Sequence, residues 1–541
     1  MIGLKGIYNF SNFATWLANP SNPIQLAFSA GIEITENEID GAYILVPLNP
    51  SFENPTFQIN GFSYIEFKLF DKTFSRLSSF IVLELSPHYF LFIPGKEFNN
   101  LSSGLGQKVI DTLCYFLHSE FEVVKVLLIA DIKDICLSPN VLELDLTSGT
   151  TDFDFQLSKL LPHALEIFPS SSSHIPEEIL TAGPSISSLE QSYVANAVAH
   201  GWNSNHSDYL NTFQNEFATL VGTKFALATS SCTGALHLAL LALGIGPGDE
   251  VIVPDITWVA TASAVMYVGA KPIFVDVDSN YWTLDISKAR EAITPRTKAI
   301  IPVHLYGFGA PMPDLMQLAN EFDLAVIEDA APAIGTQIDS RFAGSFGQFG
   351  CYSFQGAKLL VTGEGGMLVT NSPELFEKAR KLQDHGRTPG TFWIEEVGYK
   401  YKMNNITAAL GLAQIQRSKN QIEKKRQINM WYRENLSDLS CIRFQEESLG
   451  TKSICWLTSF SLLSESRVSR NQLIEILKVN KIDSRPTFPA ISQYPIWGYD
   501  PQVQSVAKVI GESGINLPSG VLISKAAVDK VCEVILQTLS K

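Results

Sequence analysis

An α/β protein in two parts is the expectation, on three grounds. Beyond about Ile179, short apolar runs near Val251, Ile300 and Val326 alternate with helix-patterned stretches, as a mostly parallel sheet requires. The preceding stretch, Met1–Phe168, carries strand patterns of its own, so it is a separate α/β or α+β domain and not a tail. Between them, Pro169–Pro176 contains the run Ser170–Ser173, and a serine run resists packing. With 541 residues, 45% of them hydrophobic, the chain has material for two or more domains with sizeable cores.

In Ser63–Phe70, Ile65, Phe67 and Leu69 alternate with Glu66 and Lys68, the period of a half-buried strand. Ala42–Leu48, Phe80–Leu85, Tyr89–Ile93, Val123–Ile129 and Val141–Leu146 also read as strands. Lys108–His118 sets Val109, Leu113, Phe116 and Leu117 on one helical face. No phosphate loop, metal spacing or nucleophile arrangement stands out in this domain. Three roles stay open for it: a binding or assembly module, a second enzymatic domain, or a domain kept for stability. Patterning alone does not choose among them. Past the linker, Ser188 with Gln191 reads as a capping box for the first helix.

Chemistry is concentrated in three later segments. In Cys351–Gly366, Lys358 is set among Phe354, Leu359, Leu360 and Val361 and followed by a glycine-rich turn. A desolvated lysine has a lowered pKa, and the neutral amine can form a Schiff base with a carbonyl. The plainer alternative is a strand-end lysine that snorkels to water. Upstream, Asp323–Asp329 reads as a short buried strand ending in a carboxylate pair, followed by Ala330, Ala331, Ala333 and Gly335. Ligands of parallel sheets bind outside the carboxyl ends of strands. A carboxylate there can keep a heterocyclic nitrogen protonated, as a pyridoxal cofactor requires. Further upstream, the loop Ala228–Gly234 lies between the apolar strand Phe225–Leu227 and a helix marked by Leu236, Leu240 and Leu243. Small residues there let backbone N–H groups approach a phosphate at the helix N-terminus. Anion loop, strand-end acid and apolar-flanked lysine, in that order, are far more specific together than singly.

The formal charge is −15, without a basic stripe, which argues against nucleic acid as a partner. The seven cysteines are scattered without CxxC spacing, which points to free thiols in a reducing compartment and against a zinc site. The N-terminus lacks the pattern of a signal peptide, and no apolar run reaches membrane-spanning length. A cytoplasmic protein with no membrane insertion and no metal is expected.

From about Ile179 to Lys541 the chain resembles the DegT/StrS family of sugar-nucleotide aminotransferases, PLP enzymes of fold type I. The resemblance rests on separated motifs in family order: AGPSISSLEQSYVANAVAHGW (Ala182–Trp202), SSCTGALHLALLALGIGPGDEVIVP (Ser230–Pro254), ITWVATASAV (Ile256–Val265), IIPVHLYG (Ile300–Gly307), EDAAPAIG (Glu328–Gly335), SFQGAKLLVTGEGGM (Ser353–Met367) and VGYKYKMNNITAALGLAQIQR (Val397–Arg417). It implies a PLP-binding large domain over 179–420 and a smaller C-terminal α/β subdomain over 421–541. Lys358 matches the family's Schiff-base lysine and Asp329 the acid facing the pyridine nitrogen. Trp258 falls where an aromatic stacks on the cofactor ring, Cys232, Thr233 and Gly234 in the phosphate loop, and Ser353 at a phosphate-binding serine. Gly398–Asn404 resembles the stretch that reaches a neighbouring subunit's site, which implies a homodimer.

Two departures stand out. Pro332 occupies a position that is usually Gln or Glu near the cofactor's phenolic oxygen. Lys400 and Lys402 stand where Asn and Arg are common, and a lysine meets phosphate as a point charge and not as a fork. The motifs TGEGGM and GYKYKMNN, with the C-terminal IDSRPTFPAISQYPIW, most resemble perosamine synthase-like members. The implied reaction moves an amino group from glutamate to C4 of a nucleotide-linked keto-deoxy sugar, for surface polysaccharide or glycan building. His304, Tyr306, His385 and Arg485 are candidates for the sugar and diphosphate pocket. A structural histidine or a surface arginine is the ordinary alternative for these. A PLP-dependent dehydratase, a non-catalytic sensor and an amino-acid aminotransferase are the competing readings. The dehydratase branch replaces the lysine that this chain keeps.

Overall fold

The computed structural model describes the backbone of six strands between Ile32 and Leu144, then residues 176–388, 390–498 and 504–540. The chain divides into two compact units, Met1–Ile167 and Phe168–Lys541. In the first, β1 (Ile32–Glu33), β2 (Tyr64–Asp71), β3 (Arg76–Ser86), β4 (Tyr89–Pro94), β5 (Lys125–Ile129) and β6 (Val141–Leu144) form one sheet in chain order. Pairing is antiparallel through β4 and parallel from β4 to β6. Five of the strands expected from alternation are these. The expected strand Ala42–Leu48, the helix Lys108–His118 and the run Ser170–Ser173 lie outside the described residues.

The second unit is built on β7 (Phe225–Thr229), β8 (Glu250–Pro254), β9 (Lys271–Val275), β10 (Thr297–Ile300), β11 (Ala325–Asp329), β12 (Gln337–Ile338), β13 (Arg341–Phe342), β14 (Phe349–Ser353) and β15 (Gly366–Thr370). Seven of these make a sheet in the order β7-β15-β14-β11-β10-β8-β9, in which β15 runs against the other six. Successive residues of a strand point to opposite faces. Ile252, Ile300, Val326 and Tyr352 accordingly enter one core with Phe213 and Phe217 of the helix Asp208–Val221. Val251, Val253, Ile327 and Cys351 enter another with the helix Cys232–Ala242. Helices cover both faces, so these strands read as apolar runs and not as alternating ones.

β16 (Ile442–Phe444), β17 (Thr451–Lys452), β18 (Ser459–Leu462), β19 (Arg485–Pro486) and β20 (Gly514–Asn516) follow. Four form an antiparallel sheet in the order β16-β18-β20-β19. β17 instead pairs with β12, which straps this part to the main sheet's connections. The expected division at 420/421 falls inside one helix, Ser418–Asn435. Ile179 pairs with Ile482 and packs in the C-terminal core, so the chain just after the first described residue of this unit lies beside its C-terminal part.

The first helix, Ser188–His200, corrects one expectation. Its cap is Ser187, and its capping box closes with Glu190, not Ser188 with Gln191. Glu190 is the buried residue of the two acceptors, and remote partners fix it. Its carboxylate accepts from Arg417 Nη1 at 2.6 Å and Gln414 Nε2 at 2.6 Å, and from the Ser187 amide at 2.7 Å. Removing one partner of a buried ion pair strands the other charge, at about 3–5 kcal/mol. Glu190→Ala is expected to lower the urea midpoint of this unit correspondingly. A midpoint equal to that of the parent chain would show the pair to be dispensable.

Candidate active site

Parallel strands end on one edge, and there the predicted residues gather. Asp329 ends β11 and Ser353 ends β14. Ser353 pairs with Gly366, and Gly366 with Thr229 at the end of β7. The chain after Ser353 doubles back at once. Gly356 N–H bonds Gly363 C=O at 2.9 Å, and Lys358 N–H bonds Gln355 C=O at 2.8 Å, so Lys358 is held in a tight loop between β14 and β15.

Asp329 is buried at 5% exposure. Its Oδ2 accepts from the Thr261 hydroxyl at 2.7 Å and its Oδ1 from the Ala331 amide at 3.2 Å. Burial pushes its carboxyl above the usual range, opposed by those two donors and by Lys358. Burial likewise brings the Lys358 amine down to about 8, against the pull of Asp329 and Cys232. Lys358 as a whole keeps some solvent contact. Its amine lies 3.9 Å from the ring centroid of Trp456. At both groups desolvation outweighs attraction, and two strongly perturbed ionisable groups brought together at strand ends mark a candidate functional site.

The helix Cys232–Ala242 starts beside this pair. Its cap, Ser231, accepts from Gly234 N–H at 3.0 Å, while the Cys232 and Thr233 amides have no acceptor among the described residues. Two unpaired amides at a helix N-terminus suit a phosphate. Tyr401 braces this loop. Its carbonyl accepts from Ser230 N–H at 2.6 Å, its hydroxyl meets His237 Nδ1 at 3.1 Å, and its ring would lie 3.3 Å from a Cβ on Gly234. Gly366 is glycine because a Cβ there would sit 2.5 Å from Cys232 N. Ser353, also buried, completes the polar lining. Trp258 is 59% exposed, and its ring is 5.7 Å from that of Phe488. It is not a core residue, and an open aromatic face is what a flat heterocycle needs. Amine, carboxylate, phosphate-type amides and aromatic face together fit pyridoxal phosphate.

Two further expectations need correcting. His304 is fully buried. Its Nδ1 accepts from the Ala310 amide at 3.0 Å, which leaves Nε2 to donate to Glu328 at 3.1 Å, and no ring nitrogen remains for a sugar. Tyr306 is equally buried, and its hydroxyl accepts from Phe488 N–H at 2.8 Å. Lys400 is exposed, and its amine lies 3.2 Å from Asp384 Oδ1. Lys402 pairs with Thr229 beside the loop. His385 is exposed at φ 67°, and Arg485 is exposed and paired with Asp483 at 3.2 Å. Pro332 is buried. Three contributors went unread: Trp456, Tyr401 and Thr261. Thr261 had a signal, since it lies one helical turn after Trp258 in a motif already singled out. Trp456 had none.

Known proteins resemble this chain in sequence and in fold. GDP-perosamine synthase of Escherichia coli O157:H7 is 38% identical over 351 residues, 65% of this chain and 95% of that protein. The UDP-N-acetyl-3-dehydro-alpha-D-glucosamine 3-aminotransferase of Acidithiobacillus ferrooxidans is 38% identical over 327 residues, 60% of this chain and 87% of that protein. The solved structure of Spr1654 from Streptococcus pneumoniae in its PLP form superposes with a TM-score of 0.63 at 27% identity, covering 67% of this chain and 100% of that one. Residues 184–536 match the DegT/DnrJ/EryC1/StrS aminotransferase family, and the chain belongs to it.

Proposed function

We propose that this aminotransferase moves an amino group from glutamate to C4 of a nucleotide-linked keto-deoxy sugar, as a step in building a surface glycan. The observation that carries the reading is the meeting of Lys358 and Asp329 beside a helix N-terminus with unpaired amides. The identity to a GDP-perosamine synthase supports the sugar and the carbon. The 3-aminotransferase relative makes C3 the competing position. The five cysteines among the described residues are free, in keeping with a reducing cytoplasm. Among those residues no helix is long and apolar enough to cross a membrane. A homodimer is part of the proposal. Phe392, Trp393 and Val397, at 95%, 71% and 88% exposure, project between Asp384 and Lys400 and give a second copy an apolar surface to cover.

Bound here, pyridoxal phosphate supplies an electron sink conjugated to the nitrogen being transferred. Asp329 stabilises a protonated ring nitrogen, and Thr261 and the Ala331 amide hold the carboxylate in place for it. The Cys232 and Thr233 amides and the Ser353 hydroxyl would take the phosphate. Trp258 offers its face to the ring. Lys358 would hold the cofactor through its amine, and its free amine would move the proton at the carbon that loses or gains nitrogen.

The deciding experiment follows the visible absorption of the protein with pyridoxal phosphate, before and after glutamate. Wild type is expected to bind with a shifted band that bleaches, and Lys358→Ala to show neither change. A wild-type band unmoved by any amino donor would support the sensor reading. Capture of cofactor by the cofactor-free protein needs the neutral amine, whose fraction grows as pH rises. Its rate is therefore expected to climb with pH and level off above about 8. A midpoint at the ordinary lysine value would contradict the desolvated site. Gly366→Ala presses on the phosphate loop. It is expected to weaken pyridoxal phosphate binding about tenfold, some 1.4 kcal/mol, and to leave binding of unphosphorylated pyridoxal unchanged. Equal losses for both ligands would argue against a phosphate cradle there.

A further inference from the structure

Trp456 is 7% exposed and fixed from several sides. Its indole N–H donates to Ala357 C=O at 2.9 Å, the residue directly before Lys358. Ring and lysine are thus tied to the same stretch of backbone. Its own carbonyl accepts from Lys425 Nζ at 2.8 Å, and that buried amine also donates to Ser519 C=O. Tyr306 packs against the indole with ring centroids 6.3 Å apart. The backbone around it is shaped to match. Gly307, at φ +89°, admits the segment because a Cβ there would lie 2.8 Å from Trp456 N and 2.7 Å from Ile454 Cγ1. Cys455, a non-glycine residue at φ 53°, turns the chain immediately before the tryptophan. A left-handed conformation of this kind persists only where its surroundings enforce it.

We propose that the face of Trp456 is the resting place of the Lys358 ammonium whenever that lysine is not joined to cofactor. The inference rests on the reading of Lys358 as the cofactor lysine and adds what becomes of it when it is let go. A lysine that serves as base and then as acid alternates between amine and ammonium at one nitrogen. A buried ammonium needs a partner, and an indole face 3.9 Å away supplies one without forming a covalent or hydrogen bond that must later be broken. The charged and titratable groups facing the amine are Asp329 at the end of β11 and Cys232 at the start of its helix, with Lys425 behind the indole. Trp456 adds a neutral surface that favours the cation and holds the side chain beside its own loop.

The test replaces Trp456 alone with progressively fluorinated tryptophans, which keep the ring's shape and drain its π face. The Lys358 amine is then titrated in the cofactor-free full chain, by competitive acetylation with acetic anhydride and mass spectrometry of the peptide that carries it. The midpoint is expected to fall with each added fluorine, by about one pH unit across the series. A midpoint that stays level or rises overturns the proposal. The titration needs no turnover. A level series with intact amino transfer rejects the resting place alone, and a falling series in a chain that transfers nothing rejects the activity alone.

Discussion

Two opposite charges held where water solvates them poorly are what the rest of the aminotransferase unit serves. Asp329 and Lys358 each lose more by burial than the other returns. Such a pair survives only on a rigid support. The support is on the other side of the sheet. Glu328, one residue before Asp329, points the opposite way and is fully buried. Its carboxylate accepts from the amides of Gly344, Phe346 and Gly347 at 2.7, 2.6 and 2.8 Å, and from His304 at 3.1 Å. The strand end is thereby fastened from behind, so the acid in front cannot swing away from the lysine. His304, read from sequence as a ligand of sugar, is part of the fastening.

Legibility in the sequence followed the range of the interaction. Lys358, Asp329 and the loop before Gly234 were readable because strand ends, turns and helix starts leave marks within a few residues, whereas Ser353 and Trp258 were singled out only through the family resemblance. The strand alternation of the first unit was readable for the same reason. The capping box slipped by one position because Glu190 owes its place to Arg417, far along the chain. Tyr306 and His304 carry the functional groups that pockets use, yet tertiary contacts had already consumed them. Trp456 could not be found at all. It reaches Ala357 across a separation of 99 residues, and nothing in its neighbourhood distinguishes it from a core aromatic.

The helix Ser418–Asn435 shows a related trade. Lys425 is buried with its amine on two backbone carbonyls, and burial brings it down to about 7. Lys424, on the same helix, lies with its amine 4.5 Å from the ring centroid of Trp431. Charged groups in such places weaken a fold unless each is met by an oriented dipole or a π face. The gain is precision: Lys425 ties Trp456 to the turn at Ser519, and so ties the C-terminal sheet to the loop that carries Lys358.

Trp258 bears on how the protein behaves in the tube. More than half of this side chain faces water. Each Å² of apolar surface left wet costs about 25 cal/mol. An exposed aromatic of this size gives the chain a surface to which other apolar surfaces adhere. Colloidal stability during purification and storage then depends on keeping this face covered.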